Sequence, residues 1–181
     1  MKCGTALKPK YIPIHEIINH LPDVSSALES LLAFHALTGC DSVSYIAGHS
    51  KKTAWKIFQQ HHQLLKDLGR GELNQETITA AEKFLCRIYG LEEVDSVDKA
   101  RVVYFTRSRS LSSLPPTSDA LCYHIQRSHY QAMVWLQACC AYPNLPEPTA
   151  LGWKLVDGKL TPELMSLPAV PESCIEVIAC S

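Results

Sequence analysis

Residues Phe34 to Phe58, F-H-A-L-T-G-C-D-S-V-S-Y-I-A-G-H-S-K-K-T-A-W-K-I-F, constrain the fold more than any other stretch of the chain. An apolar helix runs into Gly39-Cys40-Asp41, where the glycine stops it. A short loop passes through Gly48, and a lysine-bearing helix follows from Lys51 to His62. Trp55 and Phe58 fall on the inward face of that second helix. Two helices joined this way need a core to cover. With 181 residues, 46% of them apolar and 19% charged, the chain can bury one.

Helical spacing and its punctuation recur on both sides of this unit. Ile14, Ile17, Ile18 and Leu21 repeat at helical intervals before Pro22. Ser25 is the expected N-cap of the next helix, with Leu28, Leu31, Leu32 and His35 on one face. Gly69-Arg70-Gly71 breaks the chain. Asn74 then caps a helix carrying Ile78, Ala81, Leu85 and Ile88, closed by Gly90. Ser96 caps another, with Ala100, Val103 and Tyr104 inward, and a polar linker runs from Ser108 to Pro116. Ser118 starts the longest helix, expected to reach about Tyr142, with Leu121, Ile125, Ala132, Trp135 and Cys139 as its apolar stripe. Pro143 ends it.

Strand signals lie at the two ends. Met1 to Thr5 reads as a short strand, and Tyr11 to Ile14 is extended because Pro13 disfavours helix before it. Trp153–Val156 and Lys159-Leu160 flank Asp157-Gly158, a hairpin signal, in a proline-rich region. Ile175 to Ala179 is a candidate final strand. The expected organisation is 1–68, 69–142 (helical) and 143–181 (proline-rich with a hairpin).

The net charge of -1 hides segregation. No acid lies between Asp41 and Asp67, while Lys51, Lys52, Lys56 and Lys66 are basic there. His49, His61 and His62 would add charge at mildly acidic pH. A second acid-free stretch, between Asp98 and Asp119, holds Lys99, Arg101, Arg107 and Arg109. The segment after Pro143 is acidic. Such asymmetry makes a binding face without a large net charge. No apolar run reaches the roughly 18 residues of a membrane span, and no secretion signal is visible. The eight scattered cysteines read as reduced thiols in an intracellular chain.

Chemistry concentrates at the two-helix unit. Asp41 is a candidate ligand for Mg²⁺ or Mn²⁺, or else a cap for the following turn. Phosphodiester hydrolysis commonly uses two ions about 4 Å apart, held by several carboxylates. Near Asp41 in sequence stand only Glu16, Asp23 and Glu29. Gly48-His49-Ser50-Lys51-Lys52, with Lys56 a turn later, could aim backbone N–H groups and cations at a phosphate, or be an ordinary solvated helix start. The histidines and cysteines lack zinc-site spacing, so zinc is not expected. No small-molecule substrate and no nucleophilic triad are indicated.

Gly39-Cys40-Asp41 with Gly48-x-x-x-Lys52-x-Ala54, preceded by Ile14–Leu21 and Leu31–Leu37, resembles the C-terminal part of PIN-like, flap-endonuclease-like nuclease domains over about residues 1 to 65. The resemblance implies a piece of an α/β nuclease domain with a helix-hairpin-helix-like DNA-contact motif. By that likeness Asp41 would be a metal ligand, and Gly48, Lys51 and Lys52 would lie at the DNA backbone, with Ala54 packing behind. The family loop usually reads G-x-G, whereas Ser50 stands at its second glycine, a strained position if φ there is positive. Leu114-Pro-Pro-Thr-Ser-Asp-Ala-Leu121 and Gly152-Trp-Lys-Leu-Val-Asp-Gly158 resemble a set of mobile-element-derived animal proteins, of which this chain would be a fragment.

The resulting expectation is a mainly α chain: a partial PIN-like domain, a helical region and an extended tail with a β-hairpin. The function implied is that of a non-catalytic remnant of a metal-dependent, structure-specific DNA nuclease that binds the DNA backbone weakly in the nucleus. An active Mg²⁺-dependent endonuclease and a protein-interaction scaffold with no nucleic-acid role are the alternatives.

Overall fold

The computed structural model describes residues 2–13, 16, 24–107 and 113–167. The expected helix over Ile14–Leu21 and final strand over Ile175–Ala179 lie largely or wholly outside these residues, as do Asp23 and Arg109. The described chain is mainly helical with two small antiparallel hairpins. The first hairpin pairs β1 (Lys2–Thr5) with β2 (Lys8–Tyr11). The helices are α1 (Val24–Leu37), α2 (Lys51–His61), α3 (Gln75–Ile88), α4 (Val97–Arg107) and α5 (Ser118–Leu136). A 3₁₀ turn, His62–Leu65, extends α2. The second hairpin pairs β3 (Trp153–Val156) with β4 (Lys159–Pro162).

Local chemistry accounts for most of the boundaries. The Asn74 side chain accepts the Thr77 N–H at 2.9 Å and starts α3. At the far end, Leu91 N–H reaches Cys86 O at 3.0 Å and Gly90 N–H reaches Arg87 O at 2.9 Å, the paired bonds of a glycine-terminated helix. Asp157 and Gly158 both adopt positive φ, at 50° and 74°, so the β3–β4 turn follows the right-handed twist of its strands. At α5 the cap sits one residue earlier than expected: Thr117 accepts from Ala120 N–H, and Ser118 binds Asp98 instead. The same helix ends at Leu136 rather than near Tyr142. There the Gln137 side chain donates to Asn144 O at 3.1 Å and accepts Asn144 N–H at 2.7 Å, turning the chain back. Cys139 is therefore exposed beyond the helix. Ser25 lies inside the first turn of α1, which begins at Val24.

One core runs through the helices and across position 68. Phe34 packs on Phe58 with ring centroids 4.6 Å apart, and meets Trp55 and Phe84 edge-on at 5.6 and 6.4 Å. Ala81, Leu85, Val97, Ala100, Leu121 and Ile125 complete it. The buried face of α1 is Ser30, Ala33, Phe34 and Leu37, one step round from the expected face. Leu28 is 39% exposed, and His35 points out to stack on Trp135 at 5.3 Å. The α1 sequence is apolar on more than one side, and the aromatic cluster of Trp55, Phe58 and Phe84 decides which side is covered.

Candidate functional site

The turn after α1 is held from both sides. Thr38 Oγ1 donates to Phe34 O at 2.7 Å. Gly39 has φ +103°, and a Cβ there would lie 2.6 Å from Tyr45 Cα, so glycine is required both by conformation and by the returning loop. Cys40 N–H closes the turn on Val43 O at 2.9 Å. Ser42 Oγ donates to Gln131 Oε1 on α5 at 2.5 Å. The C-terminal end of α1 is thus fastened to α5, and His124 Nε2–H adds a bond to Leu37 O at 2.8 Å.

Lys51 completes that fastening. Its ammonium donates to His35 Nδ1 at 2.7 Å, to His35 O at 3.0 Å and to Gly39 O. A cation at a helix C-terminus is favoured by the helix dipole and satisfies carbonyls that lack intrahelical partners. Burial lowers the Lys51 pKa, and burial followed by the Lys51 charge lowers that of His35. The lysine in the first turn of α2, half-buried, therefore serves the end of α1.

Lys52 and Lys56 face solvent one helical turn apart on α2. Neither has an ion-pair partner among the described residues. Gly48, at φ +77°, has open space where a side chain would be. Ser50 has φ -76°, so the strain considered for serine does not arise; its hydroxyl N-caps α2 through the Thr53 N–H at 3.2 Å. His49 packs edge-on against Tyr89 at 4.4 Å, and burial lowers its pKa. His61 approaches Glu92 at 4.0 Å. The outward basic surface at this loop is therefore made by Lys52 and Lys56, with Lys66 exposed further along.

Asp41 is exposed, and its charge acts on His35. Its neighbours Cys40 and Ser42 engage each other at 3.4 Å. Among the described residues, no group of three or more His, Cys, Asp or Glu side chains is placed to hold a metal ion. A Mg²⁺ or Mn²⁺ pair wants several oxygen ligands, and a single carboxylate beside a thiol is a poor donor set for it. Glu16 is exposed at the edge of the described region.

The main polar features that sequence reasoning missed lie on the buried side of α5. Arg127, Ser128 and His129 are 3%, 0% and 1% exposed. His129 Nδ1 accepts Gly69 N–H at 2.9 Å and Nε2–H donates to Gly71 O at 3.2 Å, which fixes a neutral ring; burial lowers its pKa. Arg127 Nη1 donates to Gly152 O at 3.1 Å and to Glu163 O, tying the second hairpin to α5. The available signal was Gly69-Arg70-Gly71, a turn whose backbone groups need distant partners.

Among the described residues, no helix is long and apolar enough to cross a membrane. Comparison of the chain with models of protein families, with curated proteins and with solved structures returned no match.

Proposed function

We propose that this chain is a non-catalytic relative of PIN-like, structure-specific DNA nucleases and retains a weak DNA-backbone contact at the start of α2. The reading rests on one observation: Lys52 and Lys56 stand exposed on one helix face, without an ion-pair partner among the described residues, beside the open turn at Gly48. No acid occurs in sequence between Asp41 and Asp67 to oppose them. Lys51 supports the contact indirectly, by holding the loop against the end of α1. Asp41 is exposed, and among the described residues it belongs to no group of three or more metal-ligating side chains, which favours grip over cleavage. A mobile-element origin and a nuclear location go with this reading.

Fluorescence anisotropy with short duplex and flap DNA at low salt tests it. Removing one lysine that neutralises a phosphate should reduce the salt slope by about 0.9. Lys52→Glu/Lys56→Glu should abolish binding while leaving the fold intact. Unchanged binding in that variant removes the DNA reading. Mg²⁺-dependent cleavage that vanishes in Asp41→Ala would establish the active endonuclease instead. A scaffold role is favoured by a separate observation, the exposed apolar side chains Leu155, Val156 and Leu160 on the second hairpin. It becomes the better reading if no DNA is bound at low salt.

A further inference from the structure

A cavity of about 340 Å³ lies beneath the loop that joins Asp41 to Gly48. Its walls are apolar: Ile46 from the loop, Leu85 from α3, Leu121 from α5 and Met165 from the segment after β4. The volume is at the small end of the range for ligand pockets, which combine such walls with a few placed polar groups. Here the polar groups include His124 and Arg127.

Arg127 is 3% exposed, yet among the described residues its hydrogen bonds run from Nη1 alone. Nη2 and Nε make none there, and no carboxylate lies within ion-pair distance. Glu163, which supplies a backbone carbonyl to Arg127, directs its carboxylate to Lys154 at 3.0 Å. The Glu163 charge acts on Arg127 only from beyond ion-pair distance, so a direct counter-ion would complete this buried guanidinium. The Nε and Nη2 edge of a guanidinium is the fork that accepts a carboxylate with two parallel hydrogen bonds. His124 brings no second positive charge, because burial and then the Arg127 charge lower its pKa against the opposing bond to Leu37 O. One cation in an apolar chamber matches a monoanion with an apolar body, whereas a phosphate dianion would be left half-neutralised.

We infer that this cavity is a binding site for a small monocarboxylate with an aryl or branched acyl body, whose carboxylate pairs with Arg127. The site is separate from the Lys52 and Lys56 face, and DNA binding neither supports nor weakens it.

Calorimetric titration and thermal melting of the full chain with phenylacetate, phenylacetamide and inorganic phosphate test this. Phenylacetate should bind and raise the melting temperature. The neutral amide and phosphate should be weaker by about tenfold or more. Ala120→Phe, which fills the cavity from α5 and leaves the Arg127 bonds in place, should remove phenylacetate binding. Arg127→Gln should bring the acid down to the level of the amide. Because Arg127 also anchors the second hairpin, the amide comparison and Ala120→Phe carry the test if Arg127→Gln fails to fold. No response to phenylacetate overturns the inference; it is the result expected if another part of the chain already sits on Arg127. Equal responses to acid and amide, or a response that survives Ala120→Phe, overturn it as well.

Discussion

At the residue scale, two adjacent lysines with the same side chain serve different ends. Lys51 is drawn back onto the carbonyls of His35 and Gly39, while Lys52 stays in solvent. Both were legible as a basic helix start, but their division of labour was not, because the acceptors of Lys51 lie 12 and 16 positions earlier. Lys51→Met should cost about 1–2 kcal/mol, by leaving polar groups at the end of α1 without their donor. Urea denaturation reads that loss. The same variant should retain most of its DNA affinity, whereas Lys52→Met should lose affinity and keep its stability. A reversal of the two results would mean that Lys51 leaves the helix end to meet phosphate.

At the scale of elements, the packing of the turn before α3 against α5 is set by contact distance. Gly69 has φ +88°, and a Cβ there would stand 2.4 Å from the Cβ of Ala132. Its N–H is also the donor to His129. Gly69→Ala should therefore destabilise by about 3 kcal/mol, combining left-handed backbone strain with overpacking. Gly69→Ala/Ala132→Gly should recover only the overpacking part, so a double-mutant cycle separates the two causes. Full additivity would show that the close approach carries no energy. At the other end of α5, Asp119 accepts from Leu167 N–H at 2.9 Å, and from the Ser166 N–H and hydroxyl at 2.6 and 2.8 Å. These bonds lower the Asp119 pKa and hold the segment after β4 near the start of the helix. The sequence showed an Asp in a first helical turn, where the dipole favours it, but not the distant strand-end it would bind.

At the scale of the whole molecule, histidines act as neutral hydrogen-bonding pieces that join its parts. His124 links α5 to α1, and His129 links α5 to the Gly69–Gly71 turn. Burial lowers the pKa of both, and of His35 and His49. The unfolded chain binds these protons more readily than the folded one. The stability they contribute is thus present above the ordinary histidine value of 6.5 and falls as pH drops below it. Melting curves from pH 8 to 5 should show a progressive loss. His129→Gln, which keeps one donor and one acceptor, should lower stability at pH 8 and make the decline shallower. A wild-type melting temperature that does not fall through this range would mean that the rings are protonated in the fold.

Where most helices begin and end, and where the second hairpin turns, is written into short stretches of the chain. Those choices are made by residues within a few positions of each other: Asn74 capping Thr77, Gly90 closing α3, Asp157-Gly158 reversing the chain. In the first hairpin the strand at Lys2–Thr5 was legible, but its partner β2 escaped because an exposed Lys- and Pro-bearing strand carries little apolar alternation. Which face of α1 is buried, where Lys51 points, and that Arg127 and His129 lie inside, are settled by packing between distant segments. For Lys51, Arg127 and His129 the partners stand 16, 25 and 60 residues away, where only packing brings them into reach.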